Sequence, residues 1–226
     1  MPAYVLRVWL ADRPGALGAV ASRIGAVGGD VVGIEILERG AGRVIDELLL
    51  ELPSEDRVSL MLAKLAELDA VDVEDVRAIE GAGRPLAEPL EVAADLLGAR
   101  SVADLLAALA GGVASASAAE WVAVLDPDEP AVLSAAGSPP PAPWLEAFVA
   151  GTSAGAGPHD APGASVRDVA WARLEGTGLV LLAGRSGRPY RDRERRQLAA
   201  LARIAGQHWH HLVVVEGMRV HPTRFS

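Results

Sequence analysis

The sequence contains no cysteine among its 226 residues. Disulfide bonds, thiolate metal sites and cysteine nucleophiles are therefore excluded, and we expect a cytoplasmic location. No apolar run approaches the roughly 20 residues that span a bilayer, so we expect no membrane partner. The segment from Met1 to Leu10 has no basic start before a long apolar core, and we expect no secretory signal.

Basic charge is scarce. The formal net charge is −9, and Lys64 is the sole lysine. An acidic chain repels phosphate backbones, so we expect no nucleic-acid partner. The arginines between residues 185 and 196 alternate with Asp192 and Glu194. This pattern predicts a solvated helix start or a partner contact rather than a nucleic-acid surface.

The patterns that carry catalysis are also missing. The sequence has no nucleophile–base pair, no Gly-rich nucleotide loop and no spaced set of metal ligands. His208, His210 and His211 cluster in "HWHHL", but only the first and last share a helix face, and a metal needs further ligands. We therefore expect neither an enzyme, nor a bound metal, nor a cofactor.

The residues that are present suit two small domains, since half of them are hydrophobic. In residues 1–80, apolar residues alternate in strand-like runs and recur at helical spacing between them. The predicted order is β-α-β-β-α-β, with strands at 3–11, 31–37, 43–52 and 70–79. This order is that of a ferredoxin-like α+β sandwich.

The Gly- and Pro-rich segment 81–88 predicts a linker to a second α+β domain over 89–213. That domain is predicted to hold antiparallel strands flanked by helices. The predicted helices are 89–98, 101–112, 143–150 and one from Asp192 past Leu212, and the predicted strands are 120–126, 131–137, 165–174 and 178–185. Ser101, with Asp104 three residues later, predicts a helix start. Residues 214–226 are expected to form an irregular tail.

The stretch "DRPGALGAVASRIGAVGGDV", residues 12–31, has a helix-breaking pair at each end of one predicted helix, Pro14-Gly15 and Gly28-Gly29. We expect Pro14 in the first helical turn and Gly28-Gly29 at the helix end. The open N–H groups of a helix start attract a carboxylate, and Asp12 can accept from an ammonium group. Two interpretations remain open, because Asp12 can equally cap the helix while Gly15 eases a turn.

Residues 3–80 resemble the ACT domain family of small ligand-sensing modules, on "DRPGALGAVASRIGAVGGDVVGIEI", "GRVIDELLLEL" and "AVDVEDVRAI". The resemblance implies a ferredoxin-like fold that dimerises through strand edges or helices. It also implies that a free amino acid binds near the loop before the first helix, at a subunit interface. By position it assigns the ligand-binding residues Asp12, Arg13, Pro14, Gly15, Ala16 and Leu17 to one wall, and Asp30 and Val31 to the facing start of the second strand.

Asp30 departs from the family pattern, in which asparagine is frequent at this position. Asparagine both donates and accepts, whereas an ionised aspartate only accepts. Asp30 can therefore hold an ammonium but repels a carboxylate. Either the ligand lies differently in this chain, or Asp30 caps its own turn.

Residues 89–213 resemble a GAF domain, chiefly in "GLVLLAGRSGRPYRDRERRQLAALARIAGQHWHHL". GAF domains sense small molecules, but the fold binds many different ligands, so the fold alone does not identify the ligand. The implied pocket is walled by residues 138–164.

Together these observations predict a non-catalytic regulatory sensor that binds a free amino acid and works as an ACT-domain homodimer. One alternative is a regulatory partner subunit of an amino-acid biosynthetic enzyme. Another is an enzyme with its site in the second domain.

Overall fold

The computed structural model describes residues 1–79, 89–129, 131–153 and 166–220, without the side chains of 152, 153, 166 and 215–220. The chain is an α+β protein with two separate four-stranded antiparallel sheets. Unit 1 comprises Met1–Pro85 and Arg191–Arg193, and unit 2 comprises Leu86–Tyr190 and Glu194–Ser226. The predicted linker, 81–88, lies outside the described residues. No described helix combines the length and apolarity needed to cross a membrane.

Unit 1 has the predicted element order. Its strands are β1 (Ala3–Ala11), β2 (Asp30–Gly40), β3 (Arg43–Glu51) and β4 (Val71–Ala78), and its helices are α1 (Ala16–Ala26) and α2 (Arg57–Leu65). The sheet order is β2-β3-β1-β4. The edge strands are therefore β2 and β4.

Alternation along the strands divides the unit 1 sheet into two faces. One face carries the helices, and Leu6, Val8 and Leu48 pack there against Val20 and Ile24 of α1 in a single buried cluster. The opposite face is polar near its centre. There the buried Arg7 donates to Glu47 at 2.8 Å, and the Trp9 indole donates to Glu74 at 2.7 Å.

Glycines set both ends of α1. Gly15 precedes the helix at φ 87°, in the left-handed region, so the helix begins at Ala16. Pro14 therefore lies before the helix and not in its first turn, contrary to expectation. At the other end Gly28 is left-handed, as predicted, and the Gly29 N–H donates to the Ile24 carbonyl at 3.1 Å.

Unit 2 contains α3 (Pro89–Gly98), α4 (Val102–Ser117), β5 (Trp121–Asp126), β6 (Ala131–Gly137), α5 (Ala142–Ser153), β7 (Val169–Arg173), β8 (Val180–Gly184) and α6 (Asp192–Val220). Its sheet order is β6-β5-β8-β7. Ser101 caps α4 as predicted, because its side chain accepts from the Asp104 N–H at 3.1 Å.

Several element boundaries differ from expectation, and the largest differences are in α4, β7 and α6. Helix α4 continues past the predicted end at Gly112, since this glycine gives room for Val92 rather than ending the helix. Strand β7 is shorter than predicted, because a 3₁₀ turn, Val166–Asp168, precedes it. Helix α6 runs to Val220, so the predicted irregular tail from 214 is wrong up to that residue. Extending an existing helix costs little even through β-branched residues.

Candidate functional site

The loop between β1 and α1 is open to solvent. Asp12, Arg13, Pro14 and Gly15 are exposed, and Ala16 and Leu17 are half-buried. Backbone bonds hold the loop, because the Asp12 N–H donates to the Gly42 carbonyl at 2.9 Å and the Arg13 N–H to the Ala11 carbonyl at 2.8 Å. These bonds tie the loop to the β2–β3 turn and to the end of β1.

The first turn of α1 has no side-chain cap. Gly15 is the N-cap residue and offers no acceptor, and the turn contains no acidic side chain. Asp12 does not cap the helix, so that interpretation is wrong. The Ala16 N–H donates to the Arg13 carbonyl at 3.3 Å. The N–H groups of Leu17 and Gly18 have no acceptor among the described residues. Open N–H groups of this kind attract an anion.

The space around this turn is free of other protein atoms. A Cβ added at Gly15 or at Gly18 would meet nothing within 4 Å. A small ligand can therefore approach the backbone here without moving a side chain.

Asp30 and Val31 lie at the other end of the sheet. Asp30 pairs with Glu51, which pairs with Ala3 at the start of β1, whereas the loop follows Ala11 at its end. Since β1 has nine residues, the two ends are about 26 Å apart at roughly 3.3 Å per residue. Within one chain Asp30 therefore does not face the Asp12 loop, and its assignment to the ligand site at a subunit interface stays a prediction.

The physical reason for this separation is the length of α1. Helix α1 runs antiparallel to β1 for 11 residues, about 16 Å, so its two ends, with their glycines, lie far apart. The side chain of Asp30 is exposed and has no hydrogen bond within the described part of the chain. Val31 is half-buried and packs against the unit 1 core. Gly29 is required by packing, since a Cβ there would lie 2.7 Å from Leu52 Cδ2.

A residue that the sequence analysis passed over lies closer to the loop. Asp46 is in the middle of β3, directly opposite Val8 of β1 and Ile36 of β2. Directly opposed residues point to the same face, so Asp46 is on the helix-bearing face with Val8. It is only 3% exposed, and its Oδ1 is buried without a hydrogen-bond partner.

The electrostatic surroundings of Asp46 link it to the loop. Burial raises the pKa of the Asp46 carboxyl, the Arg39 guanidinium partly offsets the rise, and the Asp12 carboxylate adds to it. The Asp12 N–H donates to the Gly42 carbonyl just before β3, so the loop adjoins the strand that carries Asp46. The sequence signal was the acidic Asp46 at a core-side position of the run "RVIDELLLEL", where an apolar residue belongs.

The edge strand β2 carries an exposed apolar row on the helix-bearing side. Val32 is 49% exposed, Ile34 53% and Ile36 39%. An edge strand also presents unpaired backbone groups, so this row is suited to pairing with another chain.

Unit 2 has a different character. Arg185, expected at a solvated helix start, is buried and donates to the carbonyls of Ser117, Arg188 and Pro189 and to the Glu194 carboxylate. Its guanidinium also lies 4.0 Å from the Tyr190 ring centroid. The basic segment is therefore partly internal, because the fold supplies four acceptors to this buried side chain.

The described cavities and histidines of unit 2 provide no ligand site. A pocket lined by Val113, Ser117, Glu194 and Leu198 has about 20 Å³, room for one water molecule. His208 bonds the Ala99 carbonyl at 3.0 Å, and no group of metal-ligating side chains occurs among the residues described. Much of the GAF-like pocket wall predicted at 138–164 lies outside the described residues, which resume at 166.

No protein-family model matches the chain, and no curated protein matches it. Among solved structures, an unknown protein from Galdieria sulphuraria is similar, at 12% identity over 91% of this chain and 92% of that one, with a TM-score of 0.32. A likeness at this level supports no statement about fold family or function.

Proposed function

We propose that this chain is a non-catalytic regulatory protein that binds a free amino acid at the start of α1 and forms a homodimer through unit 1. Unit 1 is then a ferredoxin-like domain of ACT type, which its βαββαβ order and its β2-β3-β1-β4 sheet support. Unit 2 is a GAF-like domain, supported by its antiparallel sheet, its flanking helices and its long last helix.

The observation that carries this proposal is the uncapped, exposed first turn of α1. A helix that begins with a left-handed glycine and no acidic side chain leaves its N–H groups for an external anion. The carboxylate of an amino acid is such an anion. Its ammonium group then needs an acceptor nearby, and Asp12 lies in the same loop.

The homodimer is supported by the exposed row on β2. Val32, Ile34 and Ile36 lie beside one another on an edge strand, where a second copy can bury them. The loop before α1 follows β1, and β1 and β2 are strands of the same sheet. Amino-acid binding at the loop and dimerisation through β2 can therefore be coupled.

The test is a thermal-shift screen of the twenty proteinogenic amino acids against the full chain. A ligand that binds only the native state raises the melting temperature, and we expect this for a few amino acids. In the variant Gly18→Asp, a carboxylate takes the place of the ligand's own beside the open N–H groups. We expect this variant to lose the shift while its unliganded melting temperature stays at or above that of the wild type.

The matched control is Gly25→Ala, in the last turn of the same helix, where an added Cβ meets nothing within 4 Å. This variant keeps the ligand response if the site is at the start of α1. The proposal fails if no amino acid shifts the wild type, or if Gly18→Asp responds as the wild type does.

A further inference from the structure

We propose that the Asp46 carboxylate, with Asp12 near it, binds the ammonium group of the ligand of unit 1. This inference rests on the proposed function and gives its ligand a definite chemistry, that of a primary amine. It also assigns the ammonium to a residue of β3 rather than to Asp30.

The first support is the burial of Asp46. A carboxylic group in an apolar layer is destabilising when an oxygen lacks a hydrogen bond, and such groups are partnered in most proteins. Asp46 Oδ1 is buried without a partner, although Val8 and Ile36 beside it are apolar. An unpartnered acceptor inside a core indicates a donor that arrives from outside.

The second support is the arrangement of charge. The charged groups that act on Asp46 are Asp12, in the loop before α1, and Arg39, near the end of β2. Asp46 forms no ion pair within the described residues, so its buried carboxylate is open to a cation. A primary ammonium has three donors for such a carboxylate.

The third support is the place of the opposite charge. The open N–H groups at Leu17 and Gly18 attract a carboxylate, and Arg39 supplies a second positive group on the neighbouring strand. An amino acid carries both charges a few ångströms apart, so a single ligand satisfies the helix start and Asp46 together. Asp30, at the far end of β1, cannot take part within one chain.

Ligand binding is then linked to protons. An opposite charge beside a carboxylate favours its ionised form and lowers its pKa. Because burial raises the pKa of free Asp46, binding of an ammonium drives release of a proton from this residue, so affinity increases as the pH rises through that raised pKa.

The test follows the Asp46 carboxyl carbon by NMR titration of the full chain, with the Asp46→Asn spectrum identifying the signal. The probes are methylammonium chloride and tetramethylammonium chloride at equal ionic strength. We expect methylammonium to lower the pKa of Asp46 and tetramethylammonium, which has no N–H donor, to leave it unchanged. Equal responses of Asp46 to the two salts would overturn the inference.

The amino-acid screen is then repeated with Asp46→Asn. We expect at least a tenfold loss of affinity for each amino acid that stabilises the wild type, about 1.4 kcal/mol. If Asp46→Asn binds them as the wild type does, the inference is wrong while the proposed function stands. If no amino acid stabilises the wild type, the proposed function is wrong, and the methylammonium titration still decides whether Asp46 is an amine site.

Discussion

Asp46 faces Val8 across the β1–β3 ladder, on the side of the sheet where α1 and α2 pack. Every second residue along this part of β3 is apolar, with Val44 before it and Leu48 after it, both buried. A carboxyl in this row opposes folding unless it stays protonated or gains a partner. The stability of unit 1 therefore depends on the protonation state of one residue.

The first prediction concerns the pH dependence of that stability. Burial raises the native pKa of Asp46 above its unfolded value of about 3.9. Between these two values the native state binds the additional proton, so the wild type loses stability as the pH rises, by up to about 1.4 kcal/mol per pH unit. Below the unfolded pKa and above the native pKa this pH dependence vanishes, because both states bind the same number of protons.

The variant Asp46→Asn lacks this ionisation. Its free energy of unfolding is measured by urea denaturation at a series of pH values. Relative to that of the wild type, it should increase as the pH rises from about 4. Gly25→Ala, which removes no titratable group, is the control, and its difference from the wild type should stay constant with pH. A constant difference between Asp46→Asn and wild type would contradict the prediction.

The second prediction concerns Gly29, where α1 returns to the sheet. An added Cβ would lie 2.7 Å from Leu52 Cδ2, 2.9 Å from Ile24 Cγ2 and 3.2 Å from the Ile24 carbonyl oxygen. Gly29→Ala should therefore destabilise the protein by about 1–3 kcal/mol through overpacking. Thermal denaturation with circular dichroism measures the loss.

Gly25→Ala is the control for Gly29→Ala. Gly25 is within α1 and an added Cβ meets nothing within 4 Å. Alanine there should stabilise the helix by about 0.5–1 kcal/mol. If both alanines have the same effect, then close packing at Gly29 is not the reason for its glycine.

The sequence predicted the elements of unit 1 well because local signals and tertiary packing agree there. Val20 and Ile24 at helical spacing, with Gly28 after them, are sufficient to define α1 and its end. The end of α4 was missed for the opposite reason. In the sequence, Gly112 indicates the end of a helix. In the structure, its missing side chain makes room for Val92 of another helix. No local sequence pattern reveals such a contact.

The candidate site was predicted in part. The open helix start at Gly15 follows from a local glycine, and the sequence identified it. The sequence did not show that Asp30 lies apart from the Asp12 loop within one chain, because spatial neighbours depend on strand register, which puts Asp30 level with Ala3 and not with Ala11. Asp46 was missed because an acidic residue in a strand is unusual only when it lies on the buried apolar face, and the sequence analysis did not assign that face of β3.

The third prediction concerns the buried Arg185 of unit 2. Arg185→Lys keeps the charge but loses the planar group that reaches the Ser117 carbonyl at 2.6 Å and Glu194 at 2.7 Å. We expect a loss of about 1–3 kcal/mol, because the Ser117 carbonyl loses this buried donor. Arg203→Lys, at an exposed position of α6, should change stability by less than about 0.5 kcal/mol. If Arg185→Lys and Arg203→Lys change the free energy of unfolding equally in urea denaturation, the buried hydrogen bonds of Arg185 do not stabilise unit 2.

The fourth prediction concerns the apolar row of β2. If a second copy covers Ile34, which is 53% exposed in one chain, then Ile34→Lys removes one buried side chain from each copy. Complete burial of such a side chain contributes about 1.5–3 kcal/mol, and the dimer buries only its exposed half in each copy, so the dimer should weaken by at least about tenfold. Analytical ultracentrifugation measures the change.

The control for Ile34→Lys is Leu90→Lys, since Leu90 of α3 is 78% exposed and lies outside β2. This substitution removes a comparable apolar side chain and should leave the dimer intact. The Ile34 variant should also keep the melting temperature of the isolated monomer, because its side chain is half-exposed there and supports little of the core. A wild type that sediments as a monomer, or an Ile34→Lys dimer of undiminished strength, would show that β2 does not form the contact between copies.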